Sequence, residues 1–273
     1  MIGVDTVPQG PLVDRALAVL REGPVDAVAL CAAAFALPGA PPVVAERLAS
    51  ALLGADPRVQ RRADGRWGLV AAAAGSPLVE GCAFAVVDCE TTGMRATGDD
   101  RVTEVAVVLV QGDRREVVFA SLVNPGRPIP PMVAAITGIS DALVRGAPSF
   151  AEIADPLRAA LAGRVFVAHN ARFDWGFLGA EFRRHTGFAL EGPRLCTVRL
   201  ARRLLRGVGS CGLDNLSQYL GIANEARHRA TGDALATARL LEHLVGLARG
   251  AGVRTLDDLT ALAEGRRPAA APA

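Results

Sequence analysis

Apolar positions recur at helical spacing over residues 11–22 (PLVDRALAVLRE), with Pro11 at the start and Gly23-Pro24 past the end. That pattern predicts a helix. A second helix is expected over 25–37, and a third from Val43 to Leu53 with Glu46 and Arg47 on its polar side. Two short extended runs in DPRVQRRADGRWGLV (56–70) then flank Asp64-Gly65, which is a hairpin signal. Three helices followed by a hairpin is the order of a winged helix-turn-helix. The small-residue stretch AAAAGSPLVEG (71–81) reads as a link.

Beyond it the pattern changes to α/β. CAFAVVD (82–88) predicts a buried strand, and RVTEVAVVLV (101–110) and REVVFASLV (115–123) predict a hairpin around Gly112-Asp113. A long loop, NPGRPIPP, follows. Helices are expected at 150–162, 171–184, 196–205, 213–220 and 232–249, with a short strand at 164–168. The fold class is therefore α/β, a mixed central sheet flanked by helices and preceded by a small winged-helix-like domain. The expected domains are 1–72 for the winged-helix-like part, 73–81 for the link and 82–250 for the α/β part. A short C-terminal helix and a disordered tail are expected over 251–273.

Composition narrows this picture. Apolar residues make up 51% of 273 positions, enough for a sizeable core. All 30 basic residues are arginine; against 28 acids the formal net charge is +2, which excludes a histone-like polycation. Nucleic-acid binding must then come from local patches. Residues 1–80 hold seven arginines and eight acids, a net of −1. Only the hairpin there is rich in arginine, so Arg61 and Arg62, with Arg58 and Arg66 beside them, are the candidates for phosphate contact. A docking role for this domain is equally open. Cys31, Cys82, Cys89, Cys196 and Cys211 show no C-x-x-C spacing, which argues against a zinc site or a disulfide framework. Reduced thiols, a start without a signal-peptide pattern and an apolar stretch (27–37) too short to cross a bilayer point to a cytoplasmic protein without a membrane partner.

Three segments carry chemistry. In VVDCETTGM (86–94) Asp88 and Glu90 are two apart on a strand and so share a face, while Cys89 points away. Two acids held together repel, burial worsens this, and a divalent cation relieves both. A solvated strand end is the plain alternative. In RVFVAHNARFDWGFL (164–178) Asn170 is expected to cap a helix, and Asp174 falls in its first turns near the strand's end; an ordinary acid favoured by the helix dipole explains it equally well. In RHRATGDALATARLL (227–241) His228 precedes Asp233 by five residues. Five residues on a helix turn about 500°, so His228 is expected in the loop before the helix. A surface histidine is the alternative there.

Together, D-x-E-T-T-G at 88–93, H-N-A-x-F-D at 169–174 and H-x4-D at 228–233, with LVNPGRPIP (122–130) and ITGIS (136–140) between them, resemble the DEDDh (DnaQ-like) 3′→5′ exonucleases. That group includes the epsilon proofreading subunit of bacterial DNA polymerase III. The resemblance covers roughly residues 82–248. It implies a ribonuclease H-like fold and two divalent ions, Mg²⁺ or Mn²⁺. Asp88 is implied to bridge both ions, Glu90 and Asp233 to complete one site, and Asp174 to serve the other. His228 is implied as the general base, a role suited to an imidazole. The implied reaction is hydrolysis of phosphodiester bonds at nucleic-acid 3′ ends, releasing nucleoside 5′-monophosphates. Single-stranded 3′ ends of DNA are the implied substrate, with RNA as the alternative. A DNA polymerase or a replication or repair complex is the implied partner, with a non-enzymatic accessory role as the competing class.

Substrate-binding candidates follow from the same motifs. Thr91, Thr92 and Gly93 are expected to admit the terminal nucleotide, Met94 to act as a wedge against bases, and Ile136, Asn170 and Phe173 to line the pocket. Core packing is an equal reading for Met94, Ile136 and Phe173. Arg202, Arg203 and Arg206 read as a solvated helix face. His169 belongs to the second motif and is not the expected base. His185 and His243 are read as surface residues.

Overall fold

A computed structural model describes residues 10–56, 58–62, 64–69, 76–224 and 226–266. The chain divides into two compact units, Met1–Gly75 and Ser76–Ala273. Residues 73–75 of the expected link, and the expected disordered tail from 267 onward, lie outside the described residues.

The first unit holds α1 (Pro11–Glu22), α2 (Ala27–Phe35), α3 (Pro42–Leu53) and the antiparallel pair β1 (Val59–Arg61) and β2 (Trp67–Leu69). Pro11 and Pro42 sit at the N-terminal positions of their helices, where a missing N–H costs nothing. Asp26 caps α2 by accepting from Ala29 N at 2.8 Å. Val13, Leu17 and Leu20 of α1 meet Leu30, Cys31, Leu53, Val59 and Trp67 in one buried cluster.

The second unit is built on β3 (Phe84–Thr91), β4 (Val102–Gln111) and β5 (Arg114–Leu122). Next come α4 (Pro131–Thr137), α5 (Asp141–Val144), α6 (Phe150–Leu161), β6 (Val165–Ala168) and α7 (Ala171–Thr186). The unit ends with β7 (Arg194–Cys196), α8 (Thr197–Leu204), α9 (Leu213–Leu220), α10 (Ala230–Gly250) and α11 (Leu256–Glu264). The sheet order is β5-β4-β3-β6-β7. β3, β4 and β5 are antiparallel neighbours, whereas β6 and β7 run parallel to β3. The central strands are buried on both faces, which is why they read as near-continuous apolar runs. Phe84 and Val86 pack with α10, α8 and α11; Ala85, Val87 and Cys89 pack with α6 and α7. Edge strand β5 is largely exposed and begins Arg-Arg-Glu, charges that discourage pairing with another edge.

Three elements differ from the sequence expectation. α4 and α5 follow the NPGRPIPP loop, where the sequence predicts no element; Pro131, the last residue of that loop, takes the first position of α4, where proline is tolerated. β7 is only three residues long, too short for a periodicity. The stretch expected to link the units is already structured from Ser76. Leu256 N donates to Pro77 O at 2.9 Å, Val79 N donates to Arg254 O at 2.9 Å, and Val79 is buried in the sheet's core. α11 likewise packs into that core through Leu256 and Leu259 rather than trailing from it.

Candidate active site

The C-terminal ends of β3 and β6 lie side by side, with Val86 paired to Val167, so residues just beyond them share one crevice. Open α/β sheets bind ligands at such ends. Asp88 and Glu90 alternate with Cys89 on β3. Both acids are partly exposed, and Cys89 is buried on the opposite face. Among the described residues neither acid's side chain accepts a hydrogen bond.

Asp174 enters from the first turn of α7. It is 3% exposed, and its Oδ1 accepts from Cys89 N at 3.1 Å. Asp233 enters from the first turn of α10. Its Oδ1 accepts from Asn224 Nδ2 at 2.5 Å and its Oδ2 from His228 N at 3.1 Å. Asp88, Glu90 and Asp233 each place a carboxylate oxygen within 4.8 Å of the others. His228 lies in the exposed turn ahead of α10, with φ 58°.

These acids do not ionise independently. Burial, and then the charges of Asp174, Asp233 and Glu90, hold the Asp88 carboxyl well above the usual range. Glu90 is pushed up to about 7 by burial and by Asp233 and Glu104, with Arg229 pulling the other way. Burial pushes Asp174 up to about 8 against the hydrogen bonds from its own amide and that of Cys89. Burial also raises Asp233, opposed by Asn224 and by the His228 amide. Converging carboxylates, of which Asp88 and Glu90 have no donor, form an all-oxygen set suited to a hard divalent cation, which supplies the charge that ionisation requires.

The substrate-binding candidates fare unevenly. The Thr91 hydroxyl donates to Gly93 O at 2.6 Å, and the Thr92 hydroxyl accepts from Arg101 N at 3.0 Å and donates to Asp100 at 3.4 Å. Both threonines are buried, so their hydroxyls shape the loop and do not face outward. Gly93 makes room for a neighbour: a Cβ there would lie 2.4 Å from an Asp100 carboxylate oxygen. Met94 is 78% exposed and Ile136 is 56% exposed, so neither is a core residue, whereas Ile139 is fully buried. Phe173 packs on Phe177, ring centroids 4.8 Å apart, against the sheet's core. Asn170 stands at the start of α7 but makes no side-chain cap. It adopts a left-handed conformation (φ 79°), which asparagine tolerates.

Of the hairpin arginines, Arg58, Arg61 and Arg66 pair with Asp56, Glu46 and Asp64, the Arg61 Nε–Glu46 distance being 3.0 Å. Arg62 has no such partner among the described residues. His169 is structural: its ring bridges Thr197 Oγ1 and Cys211 O, each at 2.9 Å, and burial lowers its pKa. His185 is exposed, as expected of a surface residue, and it is also partnered. It stacks near Phe150 (5.9 Å) and reaches Glu181 at 3.3 Å. Sequence reasoning missed Glu104, Arg229 and Gly232, which brace the His228 turn. Their signal is faint, since an acid inside an apolar strand is the only departure from pattern.

The exonuclease family model of ribonuclease T type matches residues 85–241. A DNA polymerase III subunit epsilon-like protein of Rhodobacter capsulatus is 40% identical over 176 residues, 63% of this chain and 25% of that protein. A bifunctional exonuclease/endonuclease protein of Mycobacterium tuberculosis, assigned as putative, is 41% identical over 184 residues, 64% of this chain and 28% of that protein. The chain thus spans about a quarter of the length of these curated relatives. Among solved structures, exonuclease X in complex with 5′ overhanging duplex DNA aligns with a TM-score of 0.51 at 28% identity, over 66% of this chain and 99% of that one. Exonuclease I of E. coli with a dT13 oligonucleotide aligns with a TM-score of 0.54 at 19% identity, over 63% of this chain and 42% of that one, a likeness of fold. With its sheet, its crevice of acids and a family match across more than half its length, this chain belongs to the DnaQ-like exonuclease family.

Proposed function

We propose that this chain is a divalent-metal-dependent 3′→5′ exonuclease that trims 3′ ends of single-stranded DNA to nucleoside 5′-monophosphates. The observation that carries the reading is the convergence of Asp88, Glu90 and Asp233 within 4.8 Å, with no donor on the first two. Asp88, Glu90, Asp174 and Asp233 would hold two ions, Mg²⁺ or Mn²⁺. When bound, such ions supply positive charge opposite the attacking and leaving oxygens of an in-line displacement and make water easier to deprotonate. His228, exposed beside Asp233, accepts the proton of the attacking water. The loop from Thr91 to Asp100 presents Met94 outward, where its flexible thioether side chain can rest against a base. Ile136 offers a second exposed apolar contact on α4.

We assign the first unit a winged-helix-like role in gripping substrate or a partner, with Arg62 its available phosphate contact. Relatives named as polymerase III subunits support a replication or repair complex as that partner. No helix among the described residues is long and apolar enough to cross a membrane. The five free cysteines suit the cytoplasm. The test is a time course on matched 5′-labelled single-stranded DNA and RNA with Mg²⁺, Mn²⁺ or EDTA, beside Asp88→Asn. The expected result is a metal-dependent ladder shortening from the 3′ end, faster on DNA and absent in the variant. Equal cleavage by Asp88→Asn would overturn the site.

A further inference from the structure

Glu104 is an acid outside the three motifs. It lies on β4 directly across from Glu90 and is 6% exposed. Like charges opposed on neighbouring strands destabilise a sheet, so this placement needs a counterpart. Arg229 supplies one, donating from Nε at 3.0 Å and Nη2 at 2.7 Å, and Ala230 N donates at 2.9 Å. Both carboxylate oxygens are therefore held by the two residues that follow His228, where the turn becomes α10.

The other side of the turn is pinned independently. His228 N donates to Asp233. Ala226 O lies over Gly232, where a Cβ would stand only 2.1 Å away, so only glycine lets the turn fold down onto the helix. Between these anchors His228 holds φ 58°, a region that costs an L-residue about 1–2 kcal/mol. Left free, the backbone would leave it.

We propose that Glu104 is a positioning residue for cleavage, acting through Arg229 and Ala230 to keep His228 in the left-handed turn that sets its imidazole beside Asp233. The inference rests on the reading of His228 as the base. A mere anchor for α10 would cost stability without coupling to His228; a positioning residue must couple to it.

The test measures kcat and KM of the full chain on a 5′-labelled single-stranded oligodeoxynucleotide with Mn²⁺, for wild type, Glu104→Gln, His228→Ala and the double variant. Glu104→Gln is expected to lower kcat about 10–100-fold, as loss of an outer-shell support does. KM is expected to stay within about twofold, because ground-state binding is untouched. In the His228→Ala background the further loss is expected to shrink to within about twofold, since the group being positioned is gone. A full loss persisting there, or an unchanged kcat in Glu104→Gln, overturns the proposal. If Glu104→Gln does not fold, Arg229→Gln severs the same link from its exposed end and is held to the same outcomes. Amide hydrogen exchange over 226–230 gives a readout free of activity. Faster exchange confined to that segment supports the clamp, and unchanged exchange overturns it. A wild-type chain that cleaves nothing sinks the nuclease reading, and exchange then decides the clamp alone.

Discussion

Two groups of acids in this molecule sit in opposite hydrogen-bonding surroundings. At the end of β3, Asp88 and Glu90 receive no hydrogen bond from the described residues. Where β4 meets α7, Glu181 is 1% exposed and receives Arg101 Nε at 2.7 Å, Arg101 Nη2 at 2.8 Å and Val102 N at 3.2 Å. Glu181 therefore ties the start of β4 and the loop after Thr92 to α7. Burial alone does not make an acid a ligand. The two acids without donors, Asp88 and Glu90, are the ones that gain most from a cation.

The sharpest way to break this contrast is to remove one acid from each group. Asp88→Asn is expected to lower cleavage by at least about 10²–10³-fold, the scale of losing one electrostatic stabiliser. It should also raise the melting temperature of the metal-free protein, because an amide removes the cost of holding that carboxyl protonated in the fold; a lowered one would mean that Asp88 is structural. His228→Ala is expected to cost about 10²–10⁴-fold near neutrality and less in alkali, where hydroxide replaces the base. His169→Ala should show no such alkaline recovery, since both of its ring nitrogens are engaged in hydrogen bonds to Thr197 and Cys211. Matching pH–rate profiles for the two variants would erase that distinction.

Glu181→Ala belongs to the other side of the contrast. It should destabilise the fold by about 3 kcal/mol, read from urea unfolding, because it strands Arg101 without its partner. The kcat of the folded fraction should change far less than in Asp88→Asn.

The smallest effect is on pH dependence. Glu90 and Asp174 are raised to about 7 and about 8 in the fold, above their unfolded values. The folded state thus holds protons that the unfolded state has released. The stabilisation from those protons is complete below the unfolded values and is lost as pH rises through 7 and 8. Metal-free protein should lose melting temperature between about pH 5 and 8, and saturating Mg²⁺ should flatten that slope. A metal-free protein with constant stability across that range would show that the acids are matched after all.

Much of this was legible in the sequence because it is local. Helical and alternating patterns marked every long element. The two-residue spacing put Asp88 and Glu90 on one face of β3, and the five-residue spacing put His228 before α10 and Asp233 on it. Local patterns say less where short elements depend on context. α4 opens on a Pro-Pro step that reads as loop, and β7 pairs only because β6 lies beside it. They also do not show that the Thr91 and Thr92 hydroxyls turn inward to Gly93, Asp100 and Arg101.

By itself, the sequence determined which residues carry charge, which strands are buried on both faces, and the three motifs that identify the family. The tertiary structure alone decided which acids are left without donors. It brought Asp174 from α7 to the Cys89 amide, 85 positions away in sequence, and Glu104 from β4 to Arg229, 125 positions away. Such pairings depend on sheet order and helix placement, which no local periodicity encodes.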